Sequence, residues 1–282
     1  MRLNPILTIH PISPCIGAEV AGVDLGAGVS GELVATLLSA LWQHKVLFFR
    51  DQRLDDIAHA ALTRAMGTLV PYALRGEGAD LLEMDAADGG KANVWHTDST
   101  FEDTPPLAAV LRAVRVPGVG GDTLWANTAA ACADLPGPLR AMADRLVAIH
   151  SNDYDFAGSR PGISKAAAAR YAERFVHRRV LRAEHPVVRP HPVTTEPCLF
   201  LGSFITGIEG WAASETRAIL GALQAYVERP ENTVRWRWRA GDVAIWDNAA
   251  TQHYALDDYG AAPRVMKRTT IGTVAYTTEA LR

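Results

Sequence analysis

Cysteine is scarce in this chain. Cys15, Cys132 and Cys198 are far apart and odd in number, so they supply neither a disulfide framework nor a CxxC metal knot. A reducing cytoplasm fits that usage best. No apolar run approaches the roughly 20 residues of a membrane span. Met1-Arg2-Leu3-Asn4-Pro5 opens no signal peptide, because no long apolar stretch with a small-residue cleavage site follows. Charge of one sign is also missing. The net charge is −3, which gives no global field for nucleic acid or an anionic membrane. There is no internal repeat. What remains is a chain of 282 residues, 48% hydrophobic, long enough for one large domain or two small ones and for a sizeable core.

The early part alternates short strands and helices. Residues 6–25 read as strands broken by Pro11, Pro14, Gly17 and Gly22. Residues 31–44 carry apolar positions at helical spacing. Val46-Leu47-Phe48-Phe49 is a compact apolar strand, and Asp55 to Met66 a second helix ending at Gly67. Strand and turn signals dominate from there. Thr233 to Arg239 alternates strictly, so Val234, Trp236 and Trp238 face inward and the three arginines outward. Ala240-Gly241-Asp242 then turns the chain into Val243–Trp246, which predicts a hairpin. Residues 152–184 are the least strand-like part of the second half. Ser164 is suited to cap a helix running to about Leu181, and the segment reads either as a solvated helix face or as a lid at 152–184. Helices mainly early, followed by many strands, predict a mainly β fold with flanking helices, a β-sandwich or jelly roll, as one domain over 1–282.

The chemistry gathers in Val94-Trp95-His96-Thr97-Asp98 and, far downstream, in Trp246-Asp247-Asn248 and Thr251-Gln252-His253. In extended chain, residues i and i+2 share a side, so His96 and Asp98 present an imidazole and a carboxylate to one point. His253 would add a second imidazole. Two histidines and one carboxylate on one face form the facial triad of non-haem Fe(II) oxygenases, with open positions left over. One HxD is weak evidence by itself. Its company strengthens it: Gly120-Gly121-Asp122-Thr123 lies between the ligand groups, and Arg264 and Arg268 share a strand face with Met266. Two arginines in one cavity call for anions there, and a guanidinium fork suits carboxylates and oxyanions.

Taken together, these motifs resemble the taurine dioxygenase family, over nearly the whole chain from Ile16 to about Gly272. The resemblance implies a double-stranded β-helix, a jelly roll with the metal at its mouth. It implies Fe(II) and 2-oxoglutarate as cofactors, with dioxygen as cosubstrate. His96, Asp98 and His253 would be the iron ligands. Thr123 and Arg264 would hold the distal carboxylate of 2-oxoglutarate. Arg268 would read the substrate's anionic group or assist the cosubstrate. The activity implied is oxidative decarboxylation of 2-oxoglutarate coupled to hydroxylation of a small organic anion. Family members are often homodimers or homotetramers.

Departures from the taurine enzyme bear on substrate. The string before Tyr72, Leu69-Val70-Pro71, lacks its histidine, and Ala92 stands where it has an asparagine. Both changes argue against taurine. Tyr72 and Phe204 are candidate substrate contacts, Phe204 being an equally good core residue. Tyr154 and Phe156 are further candidates on the lid. Tyr254 to Gly260 looks nearest the alkylsulfatase type. A sulfate ester or sulfonate is therefore the first substrate class, cleaved to aldehyde with sulfate or sulfite. An aryloxyalkanoate-type or biosynthetic tailoring hydroxylase is the second. A catalytically silent anion-binding protein and a zinc hydrolase are the readings from other classes. His10, His44, His59, His177, His185 and His191 read as structural or surface histidines. His150 reads as a core or rim histidine beside the pocket, and Trp246 as packing behind the metal.

Overall fold

The computed structural model describes residues 7–71, 80–88, 92–153, 165, 169 and 180–274. The chain opens with β1 (Thr8–Pro11) and β2 (Ala18–Ala21), then α1 (Gly31–His44), β3 (Val46–Phe49), α2 (Asp56–Met66) and β4 (Gly67–Val70). Next come β5 (Leu82–Asp85), β6 (Ala108–Arg115), β7 (Thr123–Asn127), α3 (Thr128–Ala133) and α4 (Gly137–Ala143). Strands β8 (Val147–Ser151), β9 (Arg182–Pro186), β10 (Val188–Pro190), β11 (Pro197–Leu199) and β12 (Ile205–Ile208) lead to α5 (Ala213–Val227). The chain then runs through β13 (Thr233–Trp236), β14 (Val243–Asp247), β15 (Thr251–Ala255) and β16 (Val265–Val274).

One wall of the molecule is the sheet β1-β2-β3-β14-β6-β16-β4, with β5 also on β16. Facing it is the three-stranded sheet β13-β7-β15. The third sheet, β12-β8-β9, and the pair β10-β11 lie beside it. This is the mainly β jelly roll with flanking helices that the sequence predicts.

Both faces of the large sheet are covered, which is why β3 and β14 are apolar throughout instead of alternating. Val46 and Phe48 of β3, with Ala244 and Trp246 of β14, point between the two walls and join Trp125, Trp236, Trp238 and Met266. Leu47, Phe49, Val243 and Ile245 point the other way, into a core shared with Leu37, Leu38 and Leu41 of α1 and Leu62 of α2. Each such side chain contributes about 2 kcal/mol on burial.

The helix boundaries follow local chemistry. Ser30 Oγ accepts from Leu33 N at 3.2 Å to start α1. Lys45 ends it in the left-handed region (φ 65) while its N–H reaches Leu41 O at 2.7 Å. Asp55 caps α2 through Ala58 N at 2.8 Å. The second half holds more helix than the sequence suggests. Helix α5 was hidden because its N-cap is Ala212, which has no side-chain acceptor, and because Gly221 interrupts it. The helix is secured instead by Glu215, whose carboxylate accepts from Ala212 N at 2.9 Å, and by the buried stripe Thr216, Ile219, Leu223 and Val227.

Two expectations need correction. Thr233–Trp246 is not a hairpin: β13 pairs with β7, whereas β14 pairs with β3 and β6 in the opposite wall. The predicted inward positions do hold, since Val234, Trp236 and Trp238 are buried. The turn between them carries the chain from one wall to the other around Asp242. That carboxylate is fully buried and accepts from Arg50 at 2.5 Å, Trp236 Nε1 at 3.2 Å and Arg239 N at 2.8 Å. Burial raises its pKa, against those donors. The second correction concerns the segment 152–184. Arg182, Ala183 and Glu184 belong to β9, which pairs with β8 from Val147↔Pro186 to Ser151↔Arg182. The helix expected to end near Leu181 does not include Val180 or Leu181; Lys165 and Ala169 are helical, and Ser164, Tyr154, Phe156 and His177 lie outside the described residues.

Asp242→Ala would take from the half-buried Arg50 guanidinium and the Trp236 indole N–H their shared acceptor. The expected loss is about 3 kcal/mol of unfolding free energy, read from urea denaturation, while Asp242→Asn recovers part of it. A loss within experimental error for Asp242→Ala would show that this turn is not pinned by its charge.

Candidate metal centre and cosubstrate cavity

Two backbone hydrogen bonds create the site. His96 N donates to His253 O at 3.1 Å, and His253 N donates to His96 O at 2.8 Å. Residues paired this way in an antiparallel bridge project to the same side. The two imidazoles consequently stand with ring centroids 4.1 Å apart. Asp98, two residues on, reaches the same point: its carboxylate oxygens are 3.8 Å from His96 Nε2 and 3.9 Å from His253 Nε2. The potential ligand atoms of all three lie within 4.8 Å of one another, and all three residues are buried.

The protonation states suit a cation. His96 Nδ1 donates to Val94 O at 2.8 Å, which leaves the lone pair on Nε2, toward Asp98. Burial drives the His253 pKa well below its ordinary value, helped by His96, so this ring is neutral. Burial alone would raise the Asp98 carboxyl, but the Arg268 guanidinium beside it brings it down to about 2. Asp98 Oδ2 is buried without a hydrogen-bond partner. An unsatisfied carboxylate oxygen facing a neutral imidazole is costly in a protein alone, and a divalent ion resolves it. The donor set fits Fe(II).

Sequence separation hides what holds Asp98 still. Asn248, in the turn between β14 and β15, accepts from Asp98 N at 3.0 Å and donates to Asp98 O at 3.1 Å and Pro106 O at 2.8 Å. One amide thus ties both backbone groups of a ligand. Asp247 braces the same turn by accepting from Ala249 N and Ala250 N, and His191 Nε2 lies 3.1 Å from it. The signal for this was an Asp-Asn pair directly after an apolar strand, the composition of a side-chain-stabilised turn.

Beside the triad is a cavity of about 80 Å³ that Thr123, Arg264 and Arg268 share with His96, His253 and Trp246. Strand register explains the set. Trp125 pairs with His253 and Thr123 with Ala255, so Thr123 shares a face with His253. On the opposite wall, Arg264, Met266 and Arg268 all line the cavity, as the period of two predicts. Arg264 is held by Gly121 O at 3.0 Å and Thr123 Oγ1 at 3.4 Å. Burial lowers its pKa, and among the described residues no carboxylate lies within 4 Å of it. Gly120 and Gly121 make the approach possible at φ 79 and 71; a Cβ on Gly120 would sit 2.6 Å from Asp258 Oδ1. Thr123 Oγ1 also accepts from Trp238 Nε1 at 2.9 Å. With both lone pairs engaged by donors, its own O–H is left to donate.

Arg268 reaches the triad as well as the cavity. Its Nη1 donates to Asp98 Oδ1, a carboxylate of the triad, at 2.5 Å. Phe204 stacks edge-on against His96, with centroids 6.0 Å apart, and against Phe101 at 5.0 Å. It therefore buttresses the metal site and does not line the cosubstrate cavity. Trp246 packs 5.1 Å from His253, behind the triad as expected. Ala92 lines the cavity. Tyr72 lies outside the described residues. His150 is a fully buried core histidine against Phe200 and His185. All three cysteines are free, and no helix among the described residues is long and apolar enough to cross a membrane.

Comparison with known proteins agrees with this geometry. The profile of the "Taurine catabolism dioxygenase TauD, TfdA family" matches residues 8–270. An alpha-ketoglutarate-dependent sulfate ester dioxygenase of Pseudomonas putida is 48% identical over 94% of this chain and 89% of its own length. An alkylsulfatase of Acinetobacter baylyi is 42% identical over 94% of this chain and 84% of its own. A crystal structure of a putative alpha-ketoglutarate-dependent taurine dioxygenase from Burkholderia xenovorans superposes with a TM-score of 0.79 at 35% identity, covering 97% of this chain and 96% of that one. The double-stranded β-helix, the His96-Asp98-His253 triad and the match across nearly the whole length lead to one conclusion: the chain belongs to the TauD/TfdA family and is an Fe(II)- and 2-oxoglutarate-dependent dioxygenase.

Proposed function

We propose that the substrate is an alkyl sulfate ester, oxidised at the carbon that bears the sulfate. The carrying observation is a pair of relatives, 48% and 42% identical and named for sulfate ester and alkylsulfatase chemistry. Supporting it, Ala92 in the cavity wall and the Leu69-Val70-Pro71 string before Tyr72 remove two polar groups that a short zwitterion such as taurine would use. An anion with an apolar body suits such a wall.

Bound at the triad together with 2-oxoglutarate, Fe(II) supplies the dioxygen chemistry that couples decarboxylation of the cosubstrate to oxidation of a substrate C–H bond. The chain's residues prepare the site for it. His253 offers a neutral imidazole, His96 its Nε2, and Asp98 an ionised carboxylate fixed by Asn248. In this reading Arg264 and the Thr123 hydroxyl grip the distal carboxylate of 2-oxoglutarate, since a buried guanidinium and a free O–H donor share one cavity there. Arg268 neutralises Asp98 and, shared with it, contributes positive potential toward an anionic substrate. Phe204, Tyr72 and the segment 152–184 are proposed to shape the apolar side. Hydroxylation at the sulfate-bearing carbon gives a geminal hydroxy sulfate, which collapses to the aldehyde and free sulfate.

Asp98→Ala is expected to lose retained iron after gel filtration and, with it, succinate formation; retained metal and turnover would overturn the triad. Arg264→Ala is expected to raise the 2-oxoglutarate KM roughly 30-fold, about 2 kcal/mol for a buried charge-assisted contact, with iron content unchanged. An unaltered KM would remove Arg264 from the cosubstrate site.

The substrate proposal is tested by succinate release in air with Fe(II) and ascorbate, in the presence of hexyl sulfate, taurine, an aryloxyacetate or no addition. Hexyl sulfate should stimulate strongly, with one sulfate released per succinate, and taurine should not. Stimulation by the aryloxyacetate alone would favour the hydroxylase reading. Uncoupled turnover with every compound would indicate a specialised biosynthetic substrate.

A further inference from the structure

A second cavity, larger than the one at the triad, is lined in part by Thr104 to Leu107, which follow the turn that carries Asp98. Its volume is about 350 Å³, within the range of roughly 300–1,000 Å³ typical of small-ligand sites. Its walls include Pro105, Leu107, Val193, Phe200 and Val274. Among the described residues, the charged side chain at this cavity is Arg189, whose guanidinium lies over the Phe200 ring, 4.5 Å from the centroid. No carboxylate among the described residues comes within 4 Å of Arg189. Burial depresses its pKa, offset in part by the Cys198 thiol. Asn248 also borders the cavity, but its amide is fully engaged by Asp98 and Pro106. Among the described residues, the cavity thus offers one cation without a carboxylate partner at an apolar hollow.

We infer that this cavity is a second binding site, separate from the iron centre, for a straight-chain alkyl monoanion whose head group meets Arg189 and whose chain fills the hollow lined by Leu107, Val193 and Val274. A half-buried guanidinium is expensive to keep without an anion, and its planar fork accepts a carboxylate or sulfate head in two hydrogen bonds. The stack on Phe200 holds that fork in place. The apolar walls reject a small hydrated anion such as inorganic sulfate, which would give up its water for one partner. Amphiphilic anions satisfy both halves. The inference does not depend on the substrate proposal, because it concerns binding at residues outside the cosubstrate cavity.

The test is calorimetric titration of the full chain with decanoate, with 1-decanol and inorganic sulfate as the two half-ligands. Decanoate should bind and both half-ligands should bind more weakly. Arg189→Ala should weaken decanoate at least about tenfold, Arg189→Lys should restore part of the affinity, and Val193→Trp should block the hollow. Thermal melting checks that each variant is folded, and uncoupled succinate formation should persist in all three. Arg189→Ala and Val193→Trp proteins that bind decanoate as the wild type does would overturn the proposal. Equal affinity for decanol and decanoate would overturn the role of Arg189.

Discussion

The pair of backbone hydrogen bonds between His96 and His253 is the constraint from which the site follows. Nothing about the two imidazoles alone would bring together residues 157 positions apart (253 − 96). The bridge does so by making them opposite numbers in an antiparallel ladder, where side chains have no choice but to share a face. It also sets the register of everything alongside. Once His253 is fixed on β15, pairing with β7 puts Trp125 and Thr123 on the same face, and the cosubstrate cavity acquires its hydroxyl without any further instruction.

Around that bridge the structure is a chain of charge compensations in a medium where an unpaired charge is costly. Asp98 is balanced by Arg268 and directed by Asn248. Among the described residues, Arg264 has neutral acceptors alone, Gly121 O and Thr123 Oγ1, and so retains its demand for an anion. Structural arginines elsewhere are treated differently. Arg50 is paired with buried Asp242, and Arg112 with Asp56. Arg264 and Arg189 depart from that practice, and each borders a cavity.

Local periodicity and the ligand motif carried much of this information. Helices α1 and α2, β3, the inward tryptophans at 236 and 238, and the triad were legible because each depends on spacing within a few residues. Failures occurred where a distant partner decides. The alternation in 233–239 is the same whether β13 meets β14 or β7, and only the opposing wall's pairing selects β7. Helix α5 lacked a capping side chain at Ala212, so its start carried no polar mark. The grip of Asn248 on Asp98 spans 150 residues and leaves no local trace. Arg268 was read correctly as facing the cavity, but which anion it meets depends on the placement of Asp98, which spacing alone does not give. The roles of Tyr72 and of most of 152–184 rest on residues outside those described.

The double covering of the large sheet divides its residues by parity. Along β3 and β14 the even-numbered side chains (Val46, Phe48, Ala244, Trp246) look toward the iron centre's wall, and the odd-numbered ones (Leu47, Phe49, Val243, Ile245) toward the helices. Adjacent positions in one strand therefore answer to different neighbours. Drift at odd positions is absorbed by helix packing and leaves the pocket's shape alone, whereas drift at even positions reshapes the pocket. A scaffold partitioned in this way can change what it accommodates without renegotiating how it folds.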